Sequence, residues 1–432
     1  MPIHAAATRP LALLAVTIAV LAAAAKDVPL VVAPSANKGK LDAYHVQTGI
    51  PGASYNVNAK FYDAERPAGL HVYFGSEGAK EKDETWREFE EPALKRHNLV
   101  GINLAFKDGD YRQDTSGKIK AARIACAQVI ADYPRIIPGR GILAAFSQGG
   151  VAVAQWVAAG KEPSPAFPFS HVSLYSTEFR GTPPEGGGLS WFIGLGIKEW
   201  EHGEQMTASQ YARDLMQQLL LQAAKKNGCQ DVYLSLWDKG HELKIAEVAA
   251  SSEVFARSEI ALAPFVHPAD FADGPAAKWV AAANAHAFGA ALNGLDKLID
   301  EPKTAESDRV RLMDLRGRIA GRIEDLAGLV ESLRESDPML AAYYARLGSA
   351  QLGKHEKAAQ FTAVLSALAK DDLYVKAARA HEAFVTAFAS FMPPKPILAP
   401  AQKDLAAQIS AAGPENAATM RMARAFCALP AR

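Results

Sequence analysis

The stretch that most constrains the fold is residues 141–160, GILAAFSQGGVAVAQWVAAG. Its first part, Ile142 to Phe146, is an apolar run long enough only for a buried strand. Its last part carries Val151, Ala154, Trp156, Val157 and Ala158 on an alanine-rich, helix-forming background. Between them lies Ser147, with Ala145 two residues before it and Gly149 two residues after. A strand that turns straight into a helix at a serine needs small neighbours, because bulky side chains would collide in so tight a turn. Such an elbow holds the hydroxyl at the C-terminal edge of a sheet, at the positive end of the next helix. The usual pattern is Gly-x-Ser-x-Gly; Ala145 departs from its first position but is small enough for the close approach. Serine is also a preferred helix N-cap, so the elbow reading depends on an acid and a histidine following in order.

At 432 residues the chain is long enough for two or three domains. Its 47 basic and 47 acidic residues balance and form no blocks, which argues against an electrostatic nucleic-acid binder. The three cysteines, Cys126, Cys229 and Cys427, have no metal-ligand spacing, and at most one disulfide could form. Cys126 reads as buried filler in a helical face. At the start, Arg9 precedes an uncharged run of fifteen residues, 11–25, that ends in Ala23-Ala24-Ala25. That length is short for a membrane span and suits a secretory signal cleaved near Ala25, with an uncleaved anchor as the competing reading. No other segment reaches spanning length, so the expectation is no membrane contact after signal cleavage.

Between these landmarks the pattern is strand, helix, strand, helix, as in a parallel sheet covered on both faces. Strands are expected at 53–62, 70–74, 99–105, 142–146, 171–176, 191–197 and 231–237, with 28–33 either a first strand or the end of a linker, and helices at 83–98, 118–133 and 207–226. The turn Arg66-Pro67-Ala68-Gly69 suggests that 53–62 and 70–74 pair antiparallel. The loop Gly75-Ser76-Glu77-Gly78 leaves a strand with small residues and can present backbone N–H groups to an anion. The carboxylates Asp108, Asp110 and Asp114 fail the calcium-loop spacing and read as a solvated loop near a pocket rim. Trp191, Trp200 and Trp237 lie near strand ends, where they either line an apolar pocket or pack in the core.

Ser147 follows one strand, Glu199 a later one and His241 the last, which is the order nucleophile, acid, histidine. A serine hydroxyl is a poor nucleophile until a base takes its proton, and a carboxylate behind the histidine fixes its tautomer. The oxyanion needs backbone donors, here the N–H of Gln148 and one from Ser76 or Glu77. Glu201 and Glu178 compete with Glu199 for the acid. His241-Glu242 has no second histidine in HExxH spacing, so no metal site is expected, and no phosphate loop or dinucleotide fingerprint appears.

With Phe146-Ser147-Gln148-Gly149-Gly150, Gly196-Ile197-Lys198-Glu199 and Gly240-His241-Glu242 in hand, the chain resembles the α/β-hydrolase superfamily over about residues 40–250. The resemblance is to carboxylesterase/phospholipase-type members and to polyhydroxybutyrate-depolymerase and feruloyl-esterase-like secreted esterases. It implies nucleophile Ser147, base His241 and acid Glu199, with glutamate where those enzymes show Gly-x-x-Asp. It also implies an α/β sheet with helices on both faces and no cofactor. The family's oxyanion loop opens with His-Gly, where this chain has Phe74-Gly75; the backbone donors survive that change.

Past about residue 255 the strand signals stop, and helical periodicity runs over 276–298, 306–334, 339–352, 355–369, 373–391 and 401–412. The expected division is a signal at 1–25, an α/β-hydrolase domain at 26–255 and a helical domain at 256–432. Residues 343–365 resemble one tetratricopeptide unit, without a second copy. The expectation is an exported serine hydrolase that cleaves a small-molecule or polymer ester, with a helical region packed on it or recruiting a protein partner. A serine peptidase, or a non-catalytic binding protein on the same fold, are the alternatives.

Overall fold

The computed structural model describes residues 32–49, 52–75, 85–106, 110–159, 169–181, 183, 188–196, 215, 218–219, 231–237, 240–243, 245–389, 403–404 and 406–407. Eight strands among these form one sheet: β1 (Ala43–Gln47), β2 (Ala53–Asn58), β3 (Ala68–Phe74), β4 (Leu99–Phe106), β5 (Ile136–Phe146), β6 (His171–Tyr175), β7 (Ser190–Gly196) and β8 (Val232–Trp237). Their order is β1-β2-β4-β3-β5-β6-β7-β8. β1 and β2 join antiparallel, and from β4 onward every pairing is parallel.

Helices α1 (Thr85–His97), α2 (Thr115–Asp132), α3 (Gly150–Ala159) and α4 (Ile245–Ala261) cover the sheet. Alternation along the strands sorts its side chains between two cores. Val72, Leu143, Ala145 and Val172 face α2 and α3. Ile142, Ala144, Tyr175 and Phe192 face α1 and α4. The central strands are apolar on both sides because both sides are covered.

Two expectations are corrected. β2 and β3 do not pair with each other; β2 runs antiparallel to β4, and β3 lies between β4 and β5. The turn at 66–69 therefore leads into a crossover, and the long apolar β4 takes the place beside β2. β5 also begins at Ile136, well before the expected 142. It passes Pro138 and Gly139 through an irregularity in which Ala68 pairs with Ile136 but Leu70 pairs with Gly141, and Gly139 takes φ +92° there. The short β1 had no counterpart in the sequence reading. The segments 28–33, 207–226 and 401–412 lie wholly or mostly outside the described residues, as does the signal segment 1–25.

Six helices follow among the described residues: α5 (Ala277–Asn284), α6 (Phe288–Asp300), α7 (Glu306–Leu333), α8 (Pro338–Leu352), α9 (Ala358–Leu368) and α10 (Asp372–Ala389). The single helix expected over 276–298 is two. His286 adopts φ +58°, and its Nε2–H donates to the Leu262 carbonyl at 2.7 Å, which breaks the helical path. α4 runs through residue 255, the expected boundary: Val248 and Phe255 pack on the sheet, whereas Ala261 belongs to the helical core. α8 and α9 form a close hairpin in which Gly348 lies against the Phe361 ring. No helix among the described residues is long and apolar enough to cross a membrane.

The helical region docks at the N-terminal ends of the parallel strands. Asp231, just before β8, is fully buried; its carboxylate accepts from Tyr344 of α8 and from Arg257 of α4, the latter at 3.0 Å. Arg135, just before β5, pairs with Asp270 at 2.6 Å, and Asp270 with Arg318 of α7 at 3.2 Å.

Candidate active site

In a parallel sheet, residues that follow the strands emerge together at the C-terminal edge. The register sets this edge: Phe74 lies opposite Ala145, Phe146 opposite Tyr175, Tyr175 opposite Gly194, and Gly196 opposite Trp237. Ser147 is the first residue past β5. It opens a single 3-10 turn, Ser147–Gly149, which runs directly into α3. Its φ is +55°, a left-handed conformation that non-glycine residues rarely adopt and that costs about 1–3 kcal/mol. The strand-to-helix reversal imposes it, and it sets the hydroxyl above the sheet edge.

The small residues around the elbow are there for space. A Cβ on Gly149 would stand 2.4 Å from the Phe74 carbonyl oxygen and 2.6 Å from that of Gly75. A Cβ on Gly150 would stand 2.7 Å from the Thr177 side chain. The elbow is thus wedged between the ends of β3 and β6.

His241, four residues past the end of β8, brings its Nε2 to 2.8 Å from Ser147 Oγ. The two residues are 94 apart in sequence, so only the sheet joins them. The imidazole lies nearly parallel to the Phe146 ring, with centroids 4.9 Å apart and planes at 28°. That stacking fixes the ring plane, and Leu243 and Val248 hold the following chain down on the α1/α4 face. For Nε2 to accept the hydroxyl proton, the neutral ring must carry its own proton on Nδ1.

Of the three glutamates weighed as the acid, only Glu178 is described. Its carboxylate is held by Arg112 at 2.7 Å and Arg180 at 2.8 Å, and it makes no hydrogen bond to His241. Two guanidinium groups hold it at the flank of the elbow, where its backbone N–H donates to the Ser147 carbonyl at 3.0 Å. Glu199 and Glu201, three and five residues beyond the end of β7, lie outside the described residues, as do Ser76, Glu77 and Trp200. Gln148 is buried at 2% exposure. Trp191 is core, edge-on to Phe179 at 5.7 Å, and Trp237 abuts Gly194.

The acidic loop leaves Asp114 exposed and Asp110 partly so, yet it is also tied to the elbow. Its described part, 110–114, folds against the elbow: the Tyr111 N–H donates to Gln148 Oε1 at 2.8 Å, and Tyr111 is buried. The Arg112 backbone N–H, with help from Gln113, holds the Asp110 carboxyl below the usual carboxylate range. Lys118, buried on α2, donates to carbonyls of this loop. Sequence reading missed Tyr111, Arg112 and Lys118; their only signal was a lone aromatic inside a polar run. The described residues hold no group of three or more metal-type ligands.

No protein-family profile and no curated protein matches the chain. Solved structures do resemble it. They include dienelactone hydrolase from Anabaena variabilis, 14% identical, covering 50% of this chain and 97% of that one at a TM-score of 0.36. They also include poly(aspartic acid) hydrolase-1 from Sphingomonas sp. KT-1, 13% identical, covering 52% and 100% at 0.39. A third is the siderophore hydrolase EstA from Aspergillus nidulans, 16% identical, covering 50% and 94% at 0.35. These likenesses concern the fold alone. The chain has the α/β-hydrolase fold, extended at its C-terminal end by a run of helices.

Proposed function

We propose that the protein is a serine hydrolase that cleaves carboxylic esters through an acyl-enzyme. The observation that carries this reading is the 2.8 Å contact between His241 Nε2 and Ser147 Oγ, on a serine held at φ +55° between a strand and a helix. A structural N-cap needs neither a left-handed backbone nor an imidazole at its hydroxyl. In the first half-reaction His241 takes the hydroxyl proton as Ser147 Oγ bonds to the ester carbonyl carbon. The oxyanion is received by the Gln148 N–H and by a donor of the Ser76–Glu77 loop. His241 then passes its proton to the departing alcohol. In the second half-reaction His241 deprotonates water, which attacks the acyl carbon; the bond to Ser147 Oγ breaks and His241 returns the proton to that oxygen as the acid leaves. Glu199 is our choice for the carboxylate that steadies the imidazolium. Because the apolar run at 11–25 reads as an export signal, we place this activity outside the cytoplasm; a mature protein beginning at Lys26 would bear that out.

The test is fluorophosphonate labelling beside turnover of p-nitrophenyl esters and peptide substrates. The wild type should be labelled at Ser147 and should hydrolyse esters in preference to peptides. Ser147→Ala should abolish labelling and lower turnover by about 10⁴-fold or more. A folded wild type that neither labels nor hydrolyses any ester would overturn the reading.

A further inference from the structure

We propose that Lys118 is a positioning residue for the oxyanion hole, acting through the turn at 110–114; this rests on the ester-hydrolase reading above. Lysine is rarely buried without partners, yet Lys118 on α2 is only 4% exposed. Its ammonium donates to the Asp110 carbonyl and, at 2.7 Å, to the Gln113 carbonyl. It also stands 5.6 Å from the centre of the Phe106 ring and 5.9 Å from that of Tyr111. One cation therefore gathers both ends of the turn and the faces of two aromatic rings. The Thr115 hydroxyl completes the hold by donating to the Tyr111 carbonyl at 2.8 Å.

What this turn touches gives the lysine its role. The Tyr111 N–H donates to Gln148 Oε1 at 2.8 Å, and the backbone N–H of that same Gln148 is the first oxyanion donor. The Tyr111 ring packs edge-on to Phe74 at 6.0 Å, and Phe74 ends β3 just before the loop assigned the second donor. Arg112 pairs with Glu178, whose N–H donates to the Ser147 carbonyl. A single short turn thus braces the residue after the nucleophile, the root of the second donor loop and the flank of Ser147. Its own shape is fixed by a buried charge in the first turn of α2. Oxyanion stabilisation depends on donors placed before the charge develops, so slackening this turn should weaken the transition state more than substrate binding.

The experiment uses the full chain, a p-nitrophenyl ester and a trifluoromethyl ketone, whose adduct with serine carries the oxyanion. Lys118→Met keeps the apolar stem and removes the charge. Expected is a kcat lower by about 10- to 100-fold, part of what is lost when an oxyanion donor is removed outright. KM should stay within about threefold, and ketone affinity should fall in step with kcat/KM. Gln148→Met, which removes the acceptor for Tyr111 at similar volume, should give the same signature, and the double variant should lose less than the product of the two. If Lys118→Met does not fold, Gln148→Met decides alone. A folded variant with wild-type kcat and ketone affinity, or one that raises KM only, overturns the brace while leaving the hydrolase reading intact. An unlabelled, inactive wild type removes the hydrolase reading and the brace with it, and that result is visible before any variant is made.

Discussion

Gly149→Ala puts the elbow geometry to a direct test. The new methyl would stand 2.4 Å from the Phe74 carbonyl oxygen and 2.6 Å from that of Gly75. That is roughly 1 Å closer than an ordinary carbon–oxygen contact. Both clashing atoms are backbone, so no rotamer change relieves them. Either the end of β3 moves or the elbow does. Overpacking of this kind costs about 1–3 kcal/mol of stability. The catalytic effect should be larger, because on the proposed mechanism Phe74–Gly75 leads into the loop of the second oxyanion donor and Gln148 carries the first. A displacement of about 1 Å in such a site lowers turnover by about 10²-fold. The assay is kcat and KM for a p-nitrophenyl ester, with a denaturant melt on the same preparation. Gly149→Ala should lose about two orders of magnitude in kcat while remaining folded. A variant with wild-type kcat and wild-type stability would refute the reasoning, since the wedge between elbow and β3 would then bear no load.

Further outcomes follow from the buried polar groups. Arg257→Met removes the cation beside the fully buried Asp231 and should cost about 3–5 kcal/mol in a urea melt, whereas Tyr344→Phe should cost about 1–3 kcal/mol; equal and negligible losses would mean that this ion pair does not anchor the helical region. Burial pushes His71 down to about 4, His171 down to about 3 with a further push from Arg257, and His381 down to about 4. The unfolded chain, with ordinary histidines, therefore binds more protons than the folded one below pH 6.5. Stability should be full above pH 6.5 and fall between pH 6.5 and 5 by up to about 1.4 kcal/mol per pH unit for each histidine. A melt midpoint flat across that window would contradict it, and His71→Gln should reduce the slope. Cys126 is buried and its thiol is pushed up to about 12, so in the native state it should react with a thiol reagent only as fast as the chain opens. Prompt native-state labelling at Cys126 would count against that burial.

Much of the site was readable along the chain because its signals are local. A five-residue apolar run, a serine flanked by small residues and a following helix are all set by neighbours within one turn, and that is how Ser147 was singled out as a candidate. His241 was singled out by order alone, as the histidine after the last strand. The sheet core was equally legible, since strands covered on both faces read as unbroken apolar runs. Errors came where partners are distant. Nothing near 53–74 reveals that β2 leaves β3 to lie beside β4, because strand pairing is decided by which edges are free once the whole sheet assembles. Nothing at 276–298 reveals that His286 will reach a carbonyl at Leu262 and split the helix.

The residues that brace the site were the least visible. A lysine in an amphipathic helix and a tyrosine in an acidic loop look like surface chemistry until the fold buries both. The three competing glutamates show the same division: spacing made each eligible, and only tertiary placement set the Glu178 carboxylate against Arg112 and Arg180. The sequence by itself determined most of the elements, the elbow and the order in which Ser147 and His241 emerge, because these follow from periodicity and short-range sterics. The tertiary structure alone decided that Ser147 and His241, 94 residues apart, meet at 2.8 Å. It also decided which side chains hold that meeting in place, since hydrogen bonds and buried charges depend on neighbours that the linear chain does not supply.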